Sequence, residues 1–305
     1  MLHVENLTKK FDDKVAVNNI SFQVKPGIIT GLLGPNGAGK TTTMRLLSGF
    51  LVPNSGLIKY GELTIGNDIE KIQSKLGYLP ETAPLYMDML VYEYLEYIAN
   101  IRGISSIDLK PKMDKMIELC ELSTHLKIPI SNLSKGFKQR VSLAGTLIHD
   151  PEIIILDEPT SGLDPNQISH IRSLIKSLGK QRILILSTHI LQEVEDICDE
   201  VIIINSGNIV ANSTVKGLHK GKSVYISIKG DENVLQKIIK DKFLSYEKYD
   251  EKLENDFSSY LISIGESKVE DVYSVLKKST LEVREIKEYN KSLETIFEEL
   301  TRGVA

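Results

Sequence analysis

The sequence predicts an α/β domain on a mixed sheet, followed by a small α+β domain of ferredoxin-like pattern. Three observations carry this reading. First, the apolar run Gly27-Ile28-Ile29-Thr30-Gly31-Leu32-Leu33 reads as a buried strand, and the glycine-rich Gly34-Pro35-Asn36-Gly37-Ala38-Gly39-Lys40-Thr41-Thr42 leads from it into a helix opening at Thr43. Second, the apolar run Ile153-Ile154-Ile155-Leu156 ends in Asp157-Glu158. Such a strand delivers its acids to the carboxyl edge of the sheet, where ligands bind in open α/β folds. Third, from residue 223 onward the order becomes β-α-β-β-α-β, the pattern of a split βαβ sandwich.

A chain of 305 residues has room for two domains, and the texture divides it at about 1–221 and 222–305. The net charge of −4 gives no electrostatic reason to expect nucleic acid or an anionic membrane as partner. Cys120 and Cys198 stand far apart in sequence and make no metal or redox motif, which fits space-filling thiols in a reducing compartment. Neither a signal peptide nor an apolar run of the ~18–20 residues needed for a membrane span is visible. The expectation is a cytoplasmic chain.

In order, strands are expected at 2–6 and 20–24, separated by a polar loop over 8–14 that carries Phe11. A ring there either stacks on a base or is an ordinary half-buried side chain. After the first helix come a turn at 53–56, a strand at 57–60 and a helix at about 68–75. From Tyr86 to about Leu122 apolar residues recur at helical spacing, as at Leu90, Tyr94, Leu95 and Ile98, so a helical insertion interrupts the α/β pattern. Beyond the Asp157-Glu158 strand lie a helix at 166–178, a strand at 183–186 ending in Ser187-Thr188-His189, a helix at 190–199 and a strand at 201–204. A hairpin turns at Ser206-Gly207, and the glycine-rich stretch 217–221 marks the boundary. The second domain reads as strands at 224–228, 244–249, 260–264 and 281–286 with helices at 232–241 and 269–278. A last helix opens at the candidate N-cap Ser292.

The chemistry starts at Gly34–Thr42. Its glycines let successive backbone N–H groups curl around phosphate oxygens, and the helix N-terminus adds partial positive charge. In this G-x-x-x-x-G-K-[ST] pattern Lys40 reaches the terminal phosphates and the Thr41 hydroxyl is placed to ligate Mg²⁺. A second helix start, Leu133-Ser134-Lys135-Gly136-Phe137, has Ser134 as cap and Gly136 as a point of close approach.

Phosphate loop, Leu133–Phe137, Asp157-Glu158, Ser161-Gly162-Leu163-Asp164 and His189 occur in an order that resembles the nucleotide-binding subunits of ABC transporters. The likeness covers about the first 215 residues and implies a P-loop NTPase cassette with a helical subdomain at about 84–150. It implies ATP and Mg²⁺ as ligands, with Asn36, Gly37, Ala38, Gly39, Lys40, Thr41 and Thr42 on the phosphates and Phe11 on the adenine. It further implies Asp157 as a metal ligand, Glu158 as general base and His189 as a γ-phosphate contact. Ser134, Gly136 and Asp164 would serve the nucleotide of a second copy. The usual pattern is departed from in two places: Lys135 and Phe137 stand in the LSGGQ-like signature, and Glu81 stands where a glutamine is usual, adding a candidate metal ligand. Gly77-Tyr78-Leu79-Pro80-Glu81, Pro84-Leu85-Tyr86 and Ser292–Phe297 are similar to the gliding-motility and multidrug- or sodium-export branch.

The resemblance thus implies an ATPase that closes as a homodimer and powers export through a separate multi-span permease, peripheral on the inner face of the cell membrane. The alternative is a non-transport ABC ATPase acting on nucleic acid or ribosomes. Those carry tandem cassettes, long coiled coils or zinc motifs, and none is visible here.

Overall fold

The computed structural model describes residues 1–218, 223–243, 245–249, 257–265, 267–289 and 293–302. They form two compact units, Met1–Val215 and Lys216–Arg302.

In the first unit, β1 (Leu2–Phe11) and β2 (Lys14–Val24) form an antiparallel hairpin closed at Asp12-Asp13, with Phe11 opposite Lys14. The polar loop expected over 8–14 is therefore mostly strand. Register irregularities between Val4 and Leu7 and again before Lys10 break the alternation of two by which a strand is recognised. β3 (Ile29–Leu33) is buried along its whole length, and the glycine loop leads into α1 (Lys40–Leu47). This helix opens at Lys40 rather than at the expected Thr43. Its first turn is Lys40-Thr41-Thr42, polar residues that line a cleft, so no apolar residue announces it.

β4 (Ser55–Tyr60) and β5 (Leu63–Thr64) complete a four-stranded antiparallel sheet in the order β2-β1-β4-β5. α2 (Ile69–Ser74) leads into β6 (Leu76–Leu79). The helical insertion then supplies α3 (Val91–Ile101), α4 (Ser106–Leu119) and α5 (Lys135–Leu147), with Ser105 capping α4 through the Asp108 amide at 3.2 Å. The α/β alternation resumes with β7 (Ile153–Asp157), α6 (Pro165–Gly179), β8 (Ile183–Thr188), α7 (Leu191–Ile197), β9 (Glu200–Asn205) and β10 (Asn208–Thr214).

These strands build a six-stranded sheet in the order β10-β9-β3-β8-β7-β6. It is parallel except for β10, which returns through Ser206-Gly207. Leu33 pairs with Thr188 and Asp157 with Ser187, so the carboxyl ends of β3, β7 and β8 stand side by side. One core joins Leu32, Ile155, Ile185 and Ile202 of this sheet to Met44 and Leu47 of α1 and to Val17 and Phe22 of β2. Each such buried side chain contributes about 1.5–3 kcal/mol, which fixes the loop between β3 and α1 on a rigid base.

A short α8 (Val215–Leu218) stands where the units divide, and residues 219–221 of the glycine-rich stretch lie outside the described residues. The second unit consists of β11 (Ser223–Lys229), α9 (Glu232–Lys242), β12 (Ser245–Tyr249), β13 (Ser258–Ser263), α10 (Val269–Leu276) and β14 (Glu282–Tyr289). Its sheet runs β12-β13-β11-β14, antiparallel throughout, as the β-α-β-β-α-β pattern requires. Val224, Ile226, Leu235, Ile239, Ile262, Val272 and Leu276 form its core. α11 (Leu293–Arg302) follows, and the expected cap at Ser292 lies outside the described residues.

Candidate active site

The glycines of the loop are required by contact as well as by conformation. Gly39 precedes α1 at φ 108°, where a side chain would be strained and would run into the Ala16 carbonyl. A Cβ at Gly34 would strike the carbonyl oxygen of Ile204. The loop is thus pressed between β2 and β9. Lys40, buried at the start of α1, donates from Nζ to the carbonyls of Gly34 at 2.8 Å and Pro35 at 3.2 Å.

β7 and β8 bring the acids to the same edge. Asp157 is fully buried; Ser187 Oγ donates to its Oδ1 at 2.5 Å and Thr41 Oγ1 at 3.4 Å. Its Oδ2 is buried with no hydrogen-bond partner. Burial pushes the Asp157 carboxyl above the usual carboxylate range; the two hydroxyls oppose this, and the neighbouring Glu158 and Glu81 add to it. Glu158 follows in the left-handed region at φ 49°, a costly conformation for a non-glycine residue, fixed by a bond from its amide to Ser187 Oγ at 3.0 Å. One carboxylate oxygen, Oε1, lies 3.5 Å from Lys40 Nζ, and the other, Oε2, lies 2.8 Å from His189 Nδ1. An ionised carboxylate only accepts, so Nδ1 carries the proton of this pair.

These groups face a cleft of about 620 Å³. Of the residues expected there, Phe11, Asn36, Gly37, Gly39, Lys40, Thr41, Thr42, Glu81, Glu158 and His189 line it, Ala38 is buried in the loop, and Asp157 sits behind Thr41. The Phe11 ring is 45% exposed at the hairpin tip with Lys9 Nζ 5.2 Å from its centroid. Lys14 and Ala16 line the cleft without having been expected there, and Ser161, expected only as part of the 161–164 motif, joins them. Lys14 was findable as the strand partner of Phe11 had the hairpin been recognised. Ser187 was missed as well, although it is the last but one residue of the strand before His189.

Ser134, Gly136 and Asp164 do not line the cleft. The starts of α5 and α6 meet where Gly136 abuts Gln167, which pairs with Asp164. Ser134 caps α5 by accepting from the Phe137 amide at 3.4 Å, Gly136 leaves room for the Gln167 side chain, and Asp164 caps α6 by accepting from Asn166 and Gln167 at 3.0 Å. Phe137 stacks on His125 with ring centroids 3.7 Å apart. That unusual signature residue is therefore committed to packing against the segment before α5.

A Mg²⁺ ion fits this edge. The partnerless Oδ2 of Asp157, the nearby Thr41 hydroxyl and Glu81 are hard oxygen donors. Among the described residues no group of three or more acidic, His or Cys side chains forms a complete metal cage. That is the arrangement for an ion whose shell is completed by phosphate and water.

The family described as ABC transporter matches residues 17–161. The bacitracin transport ATP-binding protein BcrA of Enterococcus faecalis is 32% identical over 99% of this chain and 97% of its own length. This chain belongs to the ABC transporter ATP-binding proteins. The linearmycin resistance ATP-binding protein LnrL of Bacillus subtilis is 36% identical over 70% of this chain and 69% of its own length. A solved ATP-binding subunit of an ABC transporter superposes with a TM-score of 0.66 at 29% identity, covering 72% of this chain and 92% of that one. The chain is an ABC ATPase, and the matched residues fall within the unit Met1–Val215.

A groove of about 740 Å³ lies between α1, the 78–86 segment and α3. It is lined by Phe50, Tyr78, Tyr86, Tyr94, Ile98 and Ile101 with Arg45 and Arg102, and Phe50 and Ile101 are 71% and 62% exposed.

Proposed function

We propose that this cassette hydrolyses ATP to drive a membrane exporter, working as a two-fold pair. The observation that carries the reading is the placement of Glu158 between Lys40 and His189 at the mouth of the phosphate loop. Lys40 and the loop amides neutralise the β- and γ-phosphate oxygens. Glu158 orients a water for in-line attack and takes its proton, and His189 holds Glu158 and the γ-phosphate in register. Asp157, Thr41 and Glu81 would hold Mg²⁺, which would supply charge neutralisation for the phosphate oxygens. Phe11 stacks on the base. Phosphoryl transfer needs such positioning more than covalent chemistry from the protein.

The separation of Ser134, Gly136 and Asp164 from the cleft supports a head-to-tail dimer, in which these residues close over the nucleotide of the other copy. The aromatic and aliphatic groove beside Glu81 supports docking of a separate permease, which would hold the cassette at the inner face of the membrane. Among the described residues no helix is long and apolar enough to cross a membrane. Export, rather than import, is supported by the bacitracin transport and linearmycin resistance relatives.

Purified protein tests the paired site directly. Specific ATPase activity in Mg²⁺ should rise with protein concentration, and Lys40→Ala should abolish it. Activity per molecule independent of concentration, over a range where the protein is shown to pass from monomer to dimer, would overturn the shared site.

A further inference from the structure

One buried carboxylate stands outside the groups that face the cleft. Glu193 on α7 is fully buried, and its two oxygens are held by threonines from two different segments. Thr160 Oγ1 donates to Oε1, and Thr188 Oγ1 donates to Oε2 at 2.6 Å. Arg172 on α6 brings its guanidinium to 3.9 Å from Oε1 while pairing with Asp196. Thr188 Oγ1 accepts in turn from the Ile190 amide at 3.0 Å, so its proton is free to point at Glu193.

The positions of the two threonines give this cluster its meaning. Thr160 follows Glu158 by two residues and opens the segment that runs through Ser161 to the α6 cap Asp164. Thr188 immediately precedes His189 at the end of β8. Both threonines are buried, and neither lines the nucleotide cleft. Glu193 therefore touches none of the reacting groups, yet it bonds the residues beside each of them. A buried acid is a weak source of net stability, since apolar residues of the same volume often serve as well. Its two-sided acceptor geometry is what apolar packing would not supply.

We propose that Glu193 is a positioning residue for hydrolysis. It ties the segment after Glu158 to the strand end carrying His189, so that the Glu158–His189 pair and the 161–164 loop move as one body. The proposal rests on the roles read above for Glu158 and His189.

The test uses the full chain with Glu193→Ala, Glu193→Gln and Thr160→Val, measuring steady-state kinetics on folded protein and amide hydrogen exchange. Glu193→Ala should lower kcat by about tenfold or more with KM for MgATP within about twofold, because the nucleotide cleft is not touched. Exchange in 158–164 and 188–190 should quicken together. Glu193→Gln keeps one acceptor and gains a donor that Thr188 can accept, so it should recover kcat to within about threefold of wild type. Thr160→Val, which breaks only one side, should also quicken exchange at 188–190, and this arm decides the matter if Glu193→Ala fails to fold. A lowered melting temperature with kcat of the folded protein within about twofold of wild type would overturn the proposal. Unchanged exchange at 188–190 in Thr160→Val would do the same. His189→Ala run alongside separates the two readings: if it hydrolyses ATP normally, the role given to His189 fails, while the exchange data still decide whether Glu193 is the tether.

Discussion

His189 Nδ1 lies 2.8 Å from Glu158 Oε2, a pairing across the ends of β8 and β7 that sets the direction of the carboxylate. With Lys40 Nζ 3.5 Å from the other oxygen, Glu158 is fixed at both ends. His189→Ala should release one end. The expected result is a fall in kcat of about 100-fold with nucleotide affinity nearly unchanged, measured by steady-state hydrolysis and by titration with a fluorescent ATP analogue.

Phe11 makes a separate prediction, because its ring is exposed at the β1–β2 tip and remote from the sheet core. Phe11→Ala should weaken ATP binding by about 1–3 kcal/mol through loss of stacking, with little change in kcat. Calorimetric titration checks it. An affinity equal to that of wild type would mean that the base sits elsewhere.

Asp157 is buried with its carboxyl raised, chiefly by desolvation, so its ionised form destabilises the isolated fold. Below the unfolded carboxyl range both states are protonated and nothing is lost; as pH rises through the folded value, charging Asp157 lowers stability. Asp157→Asn should therefore raise the melting temperature at neutral pH by about 2–4 °C for each kcal/mol relieved. The gain should vanish near pH 3–4, in line with the ordinary carboxyl value. Hydrolysis should be lost. Differential scanning calorimetry at the two pH values provides the check.

Glu81 lines the cleft and adds to the negative field at Asp157. Glu81→Gln should preserve nucleotide binding and shift the Mg²⁺ concentration at which hydrolysis is half-maximal. Superimposable magnesium titrations would place Glu81 outside the metal's reach.

The segments easiest to read from sequence are those whose signal is local. The buried β3, the glycine loop and Lys40 follow one another in the chain, and the Asp157-Glu158 pair ends an unbroken apolar run. The second unit was legible because its strands and helices follow one another in the order β-α-β-β-α-β. The β1–β2 hairpin was not, since its bulges scramble the period of two. Ser187 and Glu193 were missed for a different reason. Their meaning comes from partners some thirty residues away, Asp157 and Thr160, brought close only by the parallel pairing of β7 and β8 and the packing of α7. Phe137 was visible as a departure, but its stack on His125 was not, because it depends on where the segment before α5 folds back.

The role proposed for Glu158, activation of the attacking water, is probed by Glu158→Gln. The substitution keeps volume and hydrogen bonding while removing the base. Single-turnover hydrolysis measured together with gel filtration in Mg-ATP should show bound, uncleaved ATP and a stabilised dimer. Hydrolysis at close to the wild-type rate would rule out Glu158 as the base.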